Sequence, residues 1–245
     1  MKLIIDALCN IGVVRQNNED GISIGGAFFR DDSTSMTVDI PSNGCFSLLL
    51  SDGMGGHENG EEASQITLAN VSDLLSSHEF TADNFEDLIR EEVHRTSLKL
   101  NNIAKEQEQT RPMGCTLTGV VILNEKVWLI NAGDSRTYRF RDNMLRLLTV
   151  DETERGITGN PFASKLLLNC IGGGAQGHLN IEEITHKLIN GDTLLICSDG
   201  LSDMVTNDDI ETALSQGKNS ADLLEMACAA GGQDNVSIIL AKVIL

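Results

Sequence analysis

The stretch FSLLLSDGMGGHENGEEAS, residues 46–64, decides how the chain is read. Phe46-Ser47-Leu48-Leu49-Leu50 is short and very apolar, the pattern of a buried strand. It runs straight into Asp52, then Gly53, Gly55, Gly56, His57 and more carboxylates. A strand that ends on a charge, with side chains removed around it, has two readings. It is an ordinary acidic loop, or it is a metal site approached closely by something large.

The rest of the chain repeats the feature. Leu194–Cys197 ends in Ser198-Asp199-Gly200, and Val127–Ala132 ends in Gly133-Asp134-Ser135. Asp20 precedes the run Gly21–Ile24, and Asp234 precedes Val236–Leu240. In an antiparallel sheet the end of one strand lies beside the start of the next. Acids that follow some strands and precede others can therefore gather at one edge. This brings together Asp20, Asp52, Asp134, Asp199 and Asp234. Carboxylates at such range repel, and some of their pKa values rise unless cations compensate. Oxygen-only ligands suit hard ions, Mg²⁺ or Mn²⁺, and the absence of clustered Cys and His argues against zinc. One Asp-Gly alone would be a turn; three similar strand ends and two strand starts ask for more.

Short apolar runs predict strands at 3–8, 21–24, 45–51, 115–123, 126–131, 136–141, 193–198 and 236–243. Asn124-Glu125 and Asp142-Asn143 sit at hairpin spacing, so 115–148 reads as an antiparallel meander. Phe85, Leu88, Ile89, Val93, Thr96, Leu100 and Ile103 predict a helix over about 84–105, with a capping box from Asp83 to Glu86. Further helices are predicted at 61–75, 208–214 and 221–229. Runs of strands and then helices, without βαβ alternation, indicate α+β layers around antiparallel sheet. Residues 149–178 mix charge and glycine and read as a mobile excursion.

The 245 residues form one domain in this reading, since no Pro- or Ser-rich linker divides them. The net charge of -18 argues against nucleic acid and anionic membrane surfaces. It also makes an anionic substrate awkward unless bound cations reverse the local field. None of the six cysteines forms a C-x-x-C pair, and Cys45, Cys115 and Cys197, in or beside apolar runs, are expected buried and reduced. The first residues reach Asp6 too early for a signal peptide, and no apolar run approaches the ~18 residues of a membrane span. The expected compartment is the cytoplasm.

With these residues in view, the chain resembles the metal-dependent protein Ser/Thr phosphatases of the type 2C (PPM) family, in their bacterial single-domain form. GVVRQNNED (12–20), DGMGGHENGEEAS (52–64), GCTLTGVVI (114–122), NAGDSR (131–136), LLICSDGLSDMV (194–205) and GGQDNVSIIL (231–240) follow the family's order and rough spacing. The resemblance implies an αββα sandwich, two antiparallel β-sheets flanked by helical layers, with a two-metal centre at one edge. By motif position it implies that Asp52 bridges both metals and that the Gly53 carbonyl ligates one. Asp199 and Asp234 ligate the other, and Glu19 and Asp20 hold metal-bound waters. Asp134 builds a third, weaker site with Asp199, and Arg15 binds the phosphate. His57 sits where bacterial relatives carry a histidine; it can protonate the leaving alkoxide or fix the loop. The bare backbone of Gly53, Gly55 and Gly56 leaves room for metal, water and phosphate.

The implied chemistry is Mn²⁺- or Mg²⁺-dependent hydrolysis of phosphoserine and phosphothreonine in proteins. A hydroxide shared by two cations attacks phosphorus directly, with no phosphoenzyme. The implied setting is signal transduction in a bacterial cytoplasm. There a monomeric enzyme acts on phosphoprotein substrates, the targets of a cognate Ser/Thr kinase. The segment LTVDETERG (148–156) lacks the family's histidine, so 149–178 reads as a shortened or diverged flap. The alternative is a catalytically silent pseudophosphatase, a regulatory binding module on the same fold. Such proteins usually lose metal ligands, and none is missing here. A third reading, a two-metal phosphoesterase of small molecules or nucleic acid, is disfavoured for nucleic acid by the charge.

Overall fold

Leu48, Leu49 and Leu50 are all fully buried, yet they face two different cores. Successive side chains of a strand point to opposite faces. Leu48 and Leu50 therefore join one apolar cluster and Leu49 another. A strand buried on both faces must lie in a sheet covered on both sides. Each such leucine contributes about 1.5–3 kcal/mol by leaving water. The computed structural model describes residues 1–55, 58–77, 80–81, 84–107, 112–174 and 177–245.

Two six-stranded antiparallel sheets stack face to face. The first comprises β1 (Lys2–Asn10), β4 (Asp32–Asp39), β10 (Arg136–Arg141), β11 (Met144–Leu147), β14 (Thr193–Cys197) and β15 (Val236–Ile244), in spatial order β11-β10-β14-β15-β1-β4. The second comprises β2 (Gly21–Ile24), β3 (Ala27–Phe29), β5 (Cys45–Ser51), β8 (Leu117–Leu123), β9 (Lys126–Ala132) and β13 (Asn180–Glu183), in order β13-β9-β8-β5-β2-β3. A small sheet of β6 (Gly53–Met54), β7 (Gly114–Cys115) and β12 (Ile171–Gly172) extends one end.

Leu3, Ile5 and Ala7 meet Leu48, Leu50 and Val120 between the two large sheets. Helices α1 (Glu58–Ser77) and α2 (Phe85–Glu106) cover the outer face of the second sheet, packing Leu68, Val71, Ile89 and Val93 on Leu49 and Val121. Three short helices come after α3 (Glu154–Thr158): α4 (Asp199–Ser202), α5 (Asn207–Ser215) and α6 (Ser220–Ala229). They cover the first sheet, with Leu201, Ile210 and Leu223 against Leu195 and Ile238. The architecture is the expected αββα sandwich.

The hairpins form where the sequence places them. Asn124 and Glu125 take φ of 50° and 68°, and Asp142 and Asn143 take 50° and 58°, the left-handed pair a two-residue turn requires. The expected meander over 115–148 is corrected. Residues 117–132 pair within the second sheet and 136–147 within the first. The chain crosses between layers at Gly133-Asp134-Ser135, where φ of 109° at Gly133 turns it out of the sheet.

Other details differ as well. Strand β4 escapes the apolar pattern because it is a Ser- and Thr-rich edge strand. Cys45 is exposed, not buried, because it opens β5 at the rim just after Gly44; Cys115 and Cys197 are buried, and all six cysteines are free thiols. Asp83 of the expected capping box lies outside the described residues. Asn84 stands at the N-cap of α2 without a side-chain cap bond. Among the described residues no helix is long and apolar enough to cross a membrane.

Strand registers locate the acids. Gly21 pairs with Ser51, Asn10 with Val236, Arg136 with Cys197, and Leu117 with Ala132. The residues just beyond these pairs are Asp20, Asp52, Asp234, Asp134 and Asp199. All therefore lie at the same end of the sandwich, opposite the two hairpin turns.

Candidate active site

Asp52 leaves β5 under tight backbone control. Its N–H donates to Thr116 Oγ1 at 3.0 Å, and the Thr116 N–H donates to the Asp52 carbonyl at 2.8 Å. Gly53 follows. A Cβ there would lie 2.0 Å from the Gly60 carbonyl oxygen and 2.7 Å from that of Glu19. The expected reason for this glycine, room for phosphate, is therefore revised. Its bare backbone is needed for the first turn of α1 and the Glu19 chain to pack against it.

The segment between β1 and β2 carries Arg15, Glu19 and Asp20. Asn235 staples it down. The Asn235 Oδ1 accepts from the Glu19 N–H at 2.8 Å, and Nδ2 donates to the carbonyls of Ile11 and Asn17 at 2.9 and 3.0 Å. Gly12 passes so close to the Asp234 carbonyl that a Cβ would lie 2.2 Å from it. Arg15 donates to Asp234 Oδ2 at 2.5 Å, and the Asn235 N–H donates to Asp234 Oδ1 at 2.8 Å. The Gly53 N–H donates to the Glu19 carbonyl at 3.2 Å, joining this segment to the Asp52 turn.

Electrostatics confirm the grouping. Burial pushes the Asp52 carboxyl well above the usual range, and Asp20, Asp199, Asp134 and Asp234 all push it further. Burial raises Asp20 to about 7, with Asp199 and Asp234 adding to it while the Ser237 and Ser198 hydroxyls oppose. Asp134 rises to about 7 through burial and the charges of Asp199, Asp151 and Asp203. Asp199 rises to about 6, chiefly by burial and then by the charges of Asp234 and Asp203, with Asp52 opposing. Asp20 is 1% exposed, and its Oδ2 has no hydrogen-bond partner among the described residues. An orphaned buried carboxylate oxygen beneath mutually repelling acids is the environment a hard divalent cation relieves. Among the described residues no three His, Cys, Asp or Glu side chains meet as a ready-made metal cage. Arg15 is paired with Asp234.

A cleft of about 380 Å³ opens over these groups. Of the residues named from sequence, Arg15, Glu19, Asp52, Gly53, Asp134, Asp199 and Asp234 line it, and Asp20 lies buried below. His57 and Gly56 lie outside the described residues. Sequence reasoning missed Thr116, Asn235 and Lys165, which also line the cleft. Thr116 and Asn235 carried a signal, a polar residue inside an apolar run and an amide beside a candidate ligand. Lys165 carried none. It stands on the excursion after β11, which is tied back by the Glu152 N–H to the Gly133 carbonyl at 3.0 Å and by an ion pair from Lys165 to Asp203.

The model of the family "Protein phosphatase 2C" matches residues 25–236. The chain belongs to the protein phosphatase 2C family. This phosphatase is a hydrolase. It is 27% identical over 248 residues to the serine/threonine phosphatase stp of Listeria welshimeri, covering 94% of this chain and 92% of that one. The structure of the S. agalactiae serine/threonine phosphatase superposes with a TM-score of 0.80 at 26% identity, over 98% of this chain and 99% of that one. The PstP catalytic domain in complex with two manganese ions superposes with a TM-score of 0.73 at 27% identity, over 99% of this chain and 100% of that one.

Proposed function

We propose that this phosphatase hydrolyses phosphoserine and phosphothreonine in proteins with the aid of divalent cations, Mn²⁺ or Mg²⁺, by direct attack of water on phosphorus. The observation that carries the reading is the convergence of Asp52 with Asp20, Asp134, Asp199 and Asp234 at one cleft, with Arg15 at its mouth. Asp52, Asp199, Asp234 and the Gly53 carbonyl would hold two cations, with Glu19 and Asp20 orienting their waters. Asp134 and Asp199 would hold a third, weaker one. When bound, the cations supply a positive field for the phosphoryl group and acidify the attacking water.

The chain's own residues do the rest. Arg15 is half exposed beside the acids, and its planar fork can take two phosphoryl oxygens, which a lysine cannot. The bond from phosphorus to the Ser or Thr oxygen breaks, and that oxygen takes up a proton. His57 is a candidate donor. The acidic cleft prevents a phosphoprotein from binding until cations reverse its field. The enzyme acts as a monomer in a bacterial cytoplasm, on the targets of a Ser/Thr kinase. Residues 1–245 act as one catalytic domain with a short flap at about 149–178.

Phosphate release from a phosphothreonine peptide, measured with Mn²⁺ and with EDTA, tests the reading. Metal-dependent release is expected. Folded protein that releases no phosphate with Mn²⁺ or Mg²⁺ would instead support the silent binding module.

A further inference from the structure

Arg30 belongs to none of the motifs, yet it is the most connected cation near the centre. It sits in the turn between β3 and β4, with its side chain 10% exposed. Its Nε donates to the Asp20 carbonyl at 2.7 Å. One terminal nitrogen donates to the Glu61 carbonyl at 3.0 Å and to Ser64 Oγ at 2.8 Å; the other pairs with Glu61 Oε1 at 3.0 Å. The guanidinium packs over the Phe28 ring, 5.1 Å from its centre. Glu61, in the first turn of α1, is half of this clamp.

The contacts run on toward the site. Ser64 Oγ donates to the Glu19 carbonyl at 2.6 Å, the same oxygen that accepts from the Gly53 N–H. The carbonyls of two consecutive residues, Glu19 and Asp20, are thus held from the second turn of α1 and from Arg30. The next residue, Asp31, takes φ of 52° and accepts from Asn18 Nδ2 at 2.8 Å. Asn18 Oδ1 in turn accepts from the Asp20 N–H at 3.1 Å. One turn therefore grips the Asn18–Asp20 segment on both sides. Because Arg30 is paired with Glu61, its net field at the acids is small. Its contribution is geometric.

We propose that Arg30 is a positioning residue that sets Glu19 and Asp20 against Asp52 and Gly53, and so fixes the cation geometry of the centre. The inference rests on the metal-site reading above. A planar fork is required, because four acceptors on two different segments are engaged at once. A lysine, as a single point charge on a flexible stem, cannot reproduce that.

The test titrates Mn²⁺ into full-length Arg30→Met, Arg30→Lys and wild type by calorimetry, with phosphothreonine peptide kinetics and melting temperature alongside. Residues that orient metal ligands typically govern affinity by about 10- to 100-fold. Arg30→Met is expected to weaken Mn²⁺ binding by that span and to lower kcat. At saturating Mn²⁺ the KM for peptide should be unchanged, because Arg15 is untouched. Arg30→Lys should recover only part of the loss. Ser64→Ala, which cuts the link to the Glu19 carbonyl, should shift affinity in the same direction by less, and it serves if Arg30→Met does not fold. An Mn²⁺ affinity within about twofold of wild type in the folded Arg30 variants, well under the span of an orienting residue, overturns the proposal even if the melting temperature falls. If wild type itself binds no Mn²⁺, the metal-site reading falls and this inference with it. If wild type binds and the variants match it, only the role of Arg30 falls.

Discussion

The two ends of the sandwich are built on opposite terms. At one end, Asn124-Glu125 and Asp142-Asn143 close hairpins in two residues each. Their side chains are exposed, and the turn chemistry agrees with the fold at all but Glu125. At the other end the chain crosses between layers, glycine lets backbone meet backbone, and five aspartates are pushed together, Asp20 almost fully buried. The turn end serves stability alone. The acid end carries a cost in the folded state that protonation or a bound cation relieves. Stability and function are thus separated along one axis of the molecule.

Substituting Asp52 tests this contrast most severely. Asp52→Asn is expected to lower turnover by more than the roughly 100-fold that loss of an orienting residue costs, because its carboxylate feels the charge of every other acid of the group. It should also weaken Mn²⁺ binding more than any other single change. Yet the metal-free variant should melt higher than metal-free wild type, since one buried charge has gone. A lower melting temperature in EDTA would break the claim that the acid end is strained.

Metal removal comes next. Mn²⁺ at about a hundredfold excess over its Kd should stabilise the fold by about 2.7 kcal/mol per bound cation relative to EDTA. The gain should depend on pH. Asp20 and Asp134 hold their protons up to about 7 and Asp199 up to about 6 in the folded chain. The unfolded chain releases them near pH 4. The stability these groups contribute without metal is present below pH ~4 and is lost as pH rises through about 6 to about 7. Melting curves at pH 5 and pH 8, with Mn²⁺ and with EDTA, should show the larger metal effect at pH 8. An equal effect at both would count against proton–metal competition.

Asp134→Ala is milder. It should leave two cations bound, counted by elemental analysis, and lower turnover by about 10- to 100-fold. Loss of both cations would remove Asp134 from a peripheral role. The smallest effect belongs to the other end. Glu125→Gly relieves φ of 68° at a residue with a Cβ and should add about 0.5–1 kcal/mol in urea melts. Its phosphatase activity should match wild type. A change in activity would mean that the two ends are coupled.

Much of this was legible in the residues. The strand starting at Cys45, the paired hairpin turns and the two long helices follow from local apolar period and turn chemistry. The acids were legible because each sits at a strand boundary. The errors share one cause. Cys45 was placed inside because its neighbours are apolar, though its strand begins at the rim. Residues 115–148 were placed in one sheet because hairpin spacing does not say which layer a hairpin joins. Arg30 and Asn235 were passed over because their partners lie on other elements, and no local period reports that.

The sequence by itself determined which segments are strands and helices and that a set of acids stands at strand ends. These depend on interactions between residues close along the chain. Tertiary structure alone decided that the two hairpins divide between sheets, that Gly53 packs against α1, and that Arg30 and Asn235 hold Glu19 and Asp20 in place. Those outcomes depend on contacts between residues far apart in sequence, such as Glu19 with Asn235, and such contacts exist only once the layers have closed.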